Sequence, residues 1–270
     1  MVGKTPFVRI YCKDARHMDE VADESVHLVV TSPPYFDLKD YNSAENHINQ
    51  AGDITDYHKY ISFLNQVWKE CIRVLGPDGK LCVNIMPLFL SGNESRFKRR
   101  ETKLVITDLE RFMFETGCMY LHSLFIWDKR KIVRFSSFGS YPFPGNIFST
   151  FPFEWIIIFS KKGKRERVPR EIKEQSRLSR KEWLDWSVNS LWEMQPAKAR
   201  LVGHPAPFPE ELPRRLIKLY TFSGDTVLDP FLGSGTTVRV AHILGRNAIG
   251  YEINPTYVEI AKTSLAQLSL

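Results

Sequence analysis

Apolar positions fall into two alternating patterns along most of this chain. Phe7–Tyr11 and Val26–Val30 are short apolar runs of strand type, and HMDEVADES between them predicts a helix over residues 17–25. From Tyr57 the set Tyr57, Tyr60, Ile61, Leu64, Val67, Trp68, Cys71, Ile72 and Leu75 follows helical spacing. Asp53 or Thr55 is placed to cap that helix, and Gly76-Pro77-Asp78-Gly79 carries the turn chemistry to end it. Leu81–Met86 reads as a buried strand, Lys103–Thr116 as a helix and Tyr120–Trp127 as a strand. After a looser stretch, Pro209–Tyr220, Thr236–Leu244 and Pro255–Leu268 read as helices, with Thr226–Asp229 and Asn247–Glu252 as strands between them. Such alternation predicts an α/β fold with a mostly parallel central sheet covered by helices.

Between Lys129 and Arg200 the regularity drops. RFSSFGSYPFPGNIFSTFPF leads into one clear strand, Glu154–Ser160, then a charged segment, then SRKEWLDWSVNSLW as a short helix and turn. Core packing is the expectation for Phe135, Phe138, Tyr141 and Phe143, with stacking on a nucleic acid as the alternative; Trp183, Trp186 and Trp192 read as structural. Composition excludes several classes. Hydrophobic residues make up 43% and charged residues 25%, an ordinary globular balance. No apolar run is long enough for a membrane span, and the first residues lack a secretory pattern, so the cytoplasm is the expected compartment. Cys12, Cys71, Cys82 and Cys118 are scattered, which suits buried free thiols rather than a metal site or disulfides. No metal is expected.

Charge sharpens the picture through its distribution. The net charge is +6, and residues 161–182 hold ten Lys/Arg against four Glu, leaving 27 basic and 27 acidic residues elsewhere. A smaller cluster is Arg96, Lys98, Arg99, Arg100 and Lys103. Concentrated positive charge suits a polyanion, because each neutralised phosphate releases counterions; a solvated face is the plainer reading.

Two motifs carry candidate chemistry. Asp229-Pro230-Phe231-Leu232-Gly233-Ser234-Gly235-Thr236-Thr237 joins a predicted strand to a predicted helix, which Thr236 or Thr237 can cap. Glycines there permit a tight turn and close approach of backbone to a ligand. Glu252 ends the next strand, 17 residues beyond Gly235, where a carboxylate can accept from both hydroxyls of a ribose. The loop lacks the third glycine of a dinucleotide fingerprint and the lysine of a P-loop, so it fits an adenosine ligand without phosphates, such as S-adenosylmethionine. Asn254-Pro255 then opens the last helix with a cap and a proline.

The second motif is Thr31-Ser32-Pro33-Pro34-Tyr35, directly after a predicted strand. Consecutive prolines fix φ and remove two donors, leaving carbonyls to accept. The Ser32 hydroxyl and Pro33 carbonyl can take the two N–H bonds of a base amine, and Tyr35 offers a ring to stack on that base. Taken alone, each motif is equally a plain turn.

Together, TSPPY early and DPFLGSGTT late closely resemble the β group of amino-DNA methyltransferases, in which the catalytic motif precedes the cofactor motif. VTSPPYFDLKDY, RVLGPDGKLCVNI, FEWIIIFSK, SLWEM and GHPAPFPEELPRRLI resemble family segments in family order. VNIMPLF and FIWDKR depart from the pattern, which leaves the shape of the base pocket open. The resemblance implies a Rossmann-like methyltransferase fold, divided into a catalytic half (1–128), an inserted target-recognition region (129–200, containing core strand 154–160) and a cofactor half (201–270). It implies a cofactor site of Asp229, Phe231, Gly233, Gly235, Thr236 and Glu252. Asp14 matches the family's acidic residue near adenine, or is a helix cap; Phe208 and Pro209 match the segment over the methionine end, or start a helix. Ser32, Pro33, Pro34 and Tyr35 would be catalytic. Serine in the first tetrad position accompanies cytosine N4 methylation in the family more often than adenine N6. Lys161, Lys162, Lys164, Arg165 and Arg167 would grip duplex DNA. A homodimer and a cognate restriction endonuclease are further implied partners. A DNA adenine-N6 methyltransferase, an RNA methyltransferase and a non-catalytic DNA-binding module are the rivals.

Overall fold

The computed structural model describes residues 5–34, 36, 51, 54–93, 95–132, 137–195 and 209–268. Expectations for Tyr35, Phe208, Phe135 and Asp53 lie outside these residues. Its strands are β1 Val8–Cys12, β2 Val26–Thr31, β3 Leu75–Ile85, β4 Leu88–Leu90, β5 Glu101–Lys103 and β6 Met119–Asp128. They continue with β7 Ser137–Phe138, β8 Phe148–Ser149, β9 Phe153–Lys161, β10 Leu191–Glu193, β11 Thr226–Asp229 and β12 Asn247–Glu252. The helices are α1 Tyr57–Val74, α2 Val105–Glu115, α3 Arg170–Gln175, α4 Arg180–Trp183, α5 Glu211–Tyr220, α6 Thr236–Ile243 and α7 Pro255–Ala266, with a π-turn at Leu184–Val188.

Eight strands form one sheet in the order β1-β12-β11-β2-β3-β9-β6-β10. Every neighbouring pair is parallel except the two that involve β9, which runs against β3 and β6. β4–β5 and β7–β8 are separate hairpins. Central strands are buried on both faces, as their unbroken apolar runs require. One face packs against α1 and α2 through Phe63, Leu64, Val67, Trp68, Leu109 and Met113. The other packs against α5, α6 and α7 through Leu212, Leu216, Ile217, Val238 and Ala261. No described helix is long and apolar enough to cross a membrane.

Four local expectations are corrected. Residues 17–25 form successive turns, not a helix. Side chains of α1 take their backbone groups instead: the Met18 N–H donates to Glu70, while Arg73 donates to the Met18 and Val21 carbonyls. Asp56 caps α1 by accepting from the Lys59 N–H at 2.9 Å. Residues 76–79 end α1 but belong to β3, where Asp78 at φ 64° sits near a register shift against β2. Gly235 at φ 85°, without a side-chain cap, starts α6 in place of Thr236 or Thr237.

Burial corrects others. Cys71 and Cys82 are buried, but Cys118 is half-buried and Cys12 exposed, all four being free thiols. Trp186 and Trp192 are core residues, whereas Trp183 is exposed. Phe138, Tyr141 and Phe143 are also exposed rather than packed in a subcore. Among the described residues no group of three His, Cys, Asp or Glu side chains is placed to hold a metal ion.

Candidate active site

The two motifs meet at the carboxyl edge of the sheet. β2 and β11 are adjacent and parallel, Val227 pairing with Leu28 and Leu228 with Val29. The proline turn leaving β2 and the glycine loop leaving β11 therefore emerge side by side, where open α/β sheets bind ligands. A buried bond joins them: the Thr31 hydroxyl donates to Asp229 Oδ1 at 2.8 Å. Asp229 Oδ1 also accepts from the Phe231 N–H at 3.0 Å, which folds the loop back over the strand end. Thr31 thus locks one motif to the other, a role its sequence position does not announce.

Asp229 is fully buried, and burial pushes its carboxyl up to about 6 against the bonds from Thr31 and Phe231. The buried Thr237 hydroxyl lies beside the carboxylate and also opposes the rise. The sign of the resulting pH dependence is fixed. Between the ordinary aspartate value and about 6 the folded state binds more protons, so stability falls as pH rises through that window, by about 3 kcal/mol in total. Asp229→Asn keeps an acceptor for Thr31 and Phe231 but removes the charge. Its unfolding free energy is expected to gain on the unsubstituted protein from pH 4 to pH 7, read by denaturant melts at each pH; a constant difference would contradict the assignment.

The glycine loop is built for close approach. Gly233 and Gly235 have φ of 51° and 85°, in the left-handed region. A Cβ on Gly235 would lie 2.8 Å from Ala261 Cβ of α7, so only glycine lets α6 and α7 close on the loop. Phe231 packs its ring edge-on to Trp68 of α1 at 6.1 Å, which anchors the loop to the core. Thr236 is half-buried as the first residue of α6, its hydroxyl 3.4 Å from that of Ser234. Glu252, at the end of β12, accepts from the Gly233 N–H and the Asn254 N–H, each at 2.9 Å. Burial raises its carboxyl, and those two bonds oppose the rise. Each carboxylate oxygen keeps a lone pair, so the group can still accept from ligand hydroxyls.

Asp14 lies two residues beyond Cys12, which pairs with Glu252, so it stands at the same edge. No helix follows it. Its carboxylate is instead held by the Arg16 N–H and guanidinium, at 2.6 to 3.1 Å. Burial would raise its carboxyl, but the bonds from Arg16 outweigh burial and hold it below the ordinary value. Pro209 is buried just before α5, its carbonyl accepting from the Leu212 N–H, and the adjacent Glu210 pairs with Arg239 of α6.

At the proline turn Pro33 is buried, with Ser32 and Pro34 half-buried. The Pro34 carbonyl is not left open to accept: the Tyr60 hydroxyl of α1 donates to it at 2.8 Å. Further along this edge lies a polar group that sequence reading missed. Asn84, near the end of β3, donates to the buried Glu154 at the start of β9, which also pairs with Lys129. Asn84 and Glu154 stood within apolar strand runs, a signal of buried polarity at a strand end.

The basic residues do not join this site. β9 is reversed, so its last residue, Lys161, lies at the opposite edge of the sheet. There Lys161 donates to the Ile72 and Leu75 carbonyls and pairs with Glu24. Lys162 donates to the Gly117 carbonyl, and Arg165 grips Asp225 through two bonds of 2.5 and 2.6 Å. Lys164 and Arg167 are exposed on a groove of that far edge, also lined by His27 and Lys80. These five residues, expected to grip duplex DNA, thus lie at the edge of the sheet opposite the proline turn and the glycine loop. Arg165→Ala is expected to lower stability by about 3 kcal/mol, because it takes the guanidinium from the buried Asp225 carboxylate and leaves it the Phe222 N–H and His27. Thermal melts check this; an unchanged Tm would contradict it.

A glycine loop and a half-buried carboxylate at adjacent strand ends, beside a proline turn, define the Rossmann-like methyltransferase class. The chain belongs to the amino-DNA methyltransferases, in their β group: the N6/N4 methyltransferase family model, described as DNA methylase, matches residues 26–263. The Type II methyltransferase M.MjaI of Methanocaldococcus jannaschii is 34% identical, over 95% of this chain and 90% of its own. M.MthZI of Methanothermobacter thermautotrophicus is 31% identical, over 95% and 76%. TTHA0409 of Thermus thermophilus, a putative DNA modification methylase solved in complex with S-adenosyl-L-methionine, superposes at a TM-score of 0.74 with 31% identity, over 96% and 95% of the chains. The PvuII cytosine-N4-specific DNA methyltransferase shares the fold at a TM-score of 0.66 and 23% identity, over 97% and 89%.

Proposed function

We propose that this protein methylates the exocyclic N4 amine of cytosine in duplex DNA, with S-adenosylmethionine as donor, as the modification enzyme of a restriction system. The observation that carries the reading is the Thr31–Asp229 bond, which holds the acceptor turn against the cofactor loop. The residues present fit the donor: a loop that only glycine can follow, and Glu252 where ribose hydroxyls would be met. When bound, the donor supplies an electrophilic methyl group on a sulfonium. Glu252 would hold the ribose, Asp14 at the same edge would serve the adenine, and Pro209 would belong to the segment at the methionine end.

Ser32 and the Pro33 carbonyl orient the base amine. Its two N–H bonds need acceptors so that the nitrogen lone pair points toward the methyl group. A base reaches this turn only outside the duplex stack, and Tyr35 is assigned the stacking role. As the nitrogen takes the methyl group, the methyl–sulfur bond breaks to leave a neutral thioether, and one amine proton passes to water. The Ser32 hydroxyl and Pro33 carbonyl orient the amine by accepting hydrogen bonds and are too weakly basic to keep that proton. No cysteine nucleophile is called for: Cys71 and Cys82 are buried, and burial raises both thiols.

Nucleosides from duplex DNA incubated with protein and donor, separated by mass spectrometry, test the reading. N4-methylcytosine is expected. N6-methyladenine in its place would move the acceptor assignment to adenine, and unmodified DNA across varied sequences would overturn the activity.

A further inference from the structure

Both small hairpins leave the sheet at the carboxyl edge. β4–β5 follows β3, the strand beside β2 and its proline turn. β7–β8 lies between the end of β6 and the start of reversed β9, so it rises from the same edge. The hairpins touch: the Arg100 guanidinium sits 4.4 Å over the Phe138 ring, and Phe89 contacts Phe148 edge-on and Phe151 face-on, each at 6.0 Å. From β5 a chain of contacts runs back to the acceptor turn. Lys103 lies over the Tyr57 ring at 5.3 Å, Tyr57 meets Phe36 at 6.0 Å, and Phe36 meets Tyr60, whose hydroxyl bonds to Pro34.

Their outer surface is both basic and aromatic. Arg96, Lys98, Arg99 and Arg100 are all exposed, and none forms an ion pair among the described residues. Glu101 on the same hairpin is engaged by Lys103 and Ser95. Beside them Tyr141 is 98% exposed, Phe143 71%, Ile147 69% and Phe97 59%. Aromatic side chains so open to water mark a contact surface, and the interleaved cations select a polyanion with stacking faces.

We propose that this hairpin pair is the surface on which duplex DNA docks beside the acceptor turn. The four cations of the β4–β5 hairpin grip backbone phosphates, and the exposed rings of the β7–β8 hairpin lie against bases near the extruded one. The assignment rests on the DNA methyltransferase reading and moves the DNA contact from Lys161–Arg167 to the opposite edge.

Duplex affinity, followed by fluorescence anisotropy across a salt series, tests it in three variants. With Arg96, Lys98, Arg99 and Arg100 all changed to Ser, Kd is expected to rise at least about tenfold, and the slope of log affinity on log salt to shrink by about two to four. Tyr141→Ser with Phe143→Ser weakens binding with little change in slope. Lys164→Ala with Arg167→Ala changes neither. Calorimetry with S-adenosylmethionine, expected to be unaltered in all three, confirms that each variant is folded. DNA binding that the fourfold variant retains, with its slope intact, overturns the surface while leaving the methyltransferase reading in place. Unsubstituted protein that binds no duplex overturns both.

Discussion

Ser32→Ala is expected to lower turnover by on the order of a hundredfold while cofactor affinity stays within about twofold. The hydroxyl stands at the end of β2, one residue past the Thr31 side chain that tethers the glycine loop. Removing it takes one acceptor from the base amine but leaves the Thr31–Asp229 bond and the loop untouched. The loss belongs to the transition state, where the amine must be held in line with the methyl group, so kcat falls and cofactor Kd does not. Single-turnover kinetics with calorimetry separate the two quantities. A variant with full turnover would remove Ser32 from the chemistry, and one that loses cofactor affinity to the same degree would make it part of the loop.

Glu252→Ala is expected to act in the complementary way, weakening cofactor binding by about a hundredfold. The carboxylate fixes the Gly233 and Asn254 N–H groups, and in the proposed site it also accepts from the ribose. Hydrogen bonds to a charged acceptor contribute about 1.5–3 kcal/mol each, so losing the ligand's share alone costs more than tenfold. Glu252→Gln should fare nearly as badly, because one of its terminal atoms becomes a donor facing an N–H. Titration calorimetry reads both variants directly; unaltered affinity in Glu252→Ala would place the ribose elsewhere.

Much of this site could be read from the chain because its signals are local. β11 and β12 begin and end where the apolar runs Thr226–Asp229 and Asn247–Glu252 do, and Asn254-Pro255 caps α7 through the Thr256 N–H. Short strands bounded by glycine, aspartate and proline leave little freedom. What failed depends on partners distant in sequence. The turns over residues 17–25 are held by Glu70 and Arg73, and the Thr31–Asp229 tie spans 198 positions.

Strand direction misled most. The basic run expected to grip DNA directly follows a core strand, but β9 runs backwards and carries Lys161 to the far edge. One cue was available. Parallel neighbours need a crossover long enough to return, commonly a helix, and the text between Trp127 and Glu154 holds no helical pattern. That absence predicts an antiparallel return, which keeps Tyr141 at the site's edge and carries Lys161 away from it.

In the proposed site the glycine loop presents a methyl group to the proline turn. A crystal structure with a non-transferring S-adenosylmethionine analogue tests it most directly. The expected density has ribose hydroxyls on Glu252 and the group replacing the methyl directed at Ser32 and Pro33. An analogue bound away from the glycine loop, or one whose transferable end faces away from the proline turn, would contradict it.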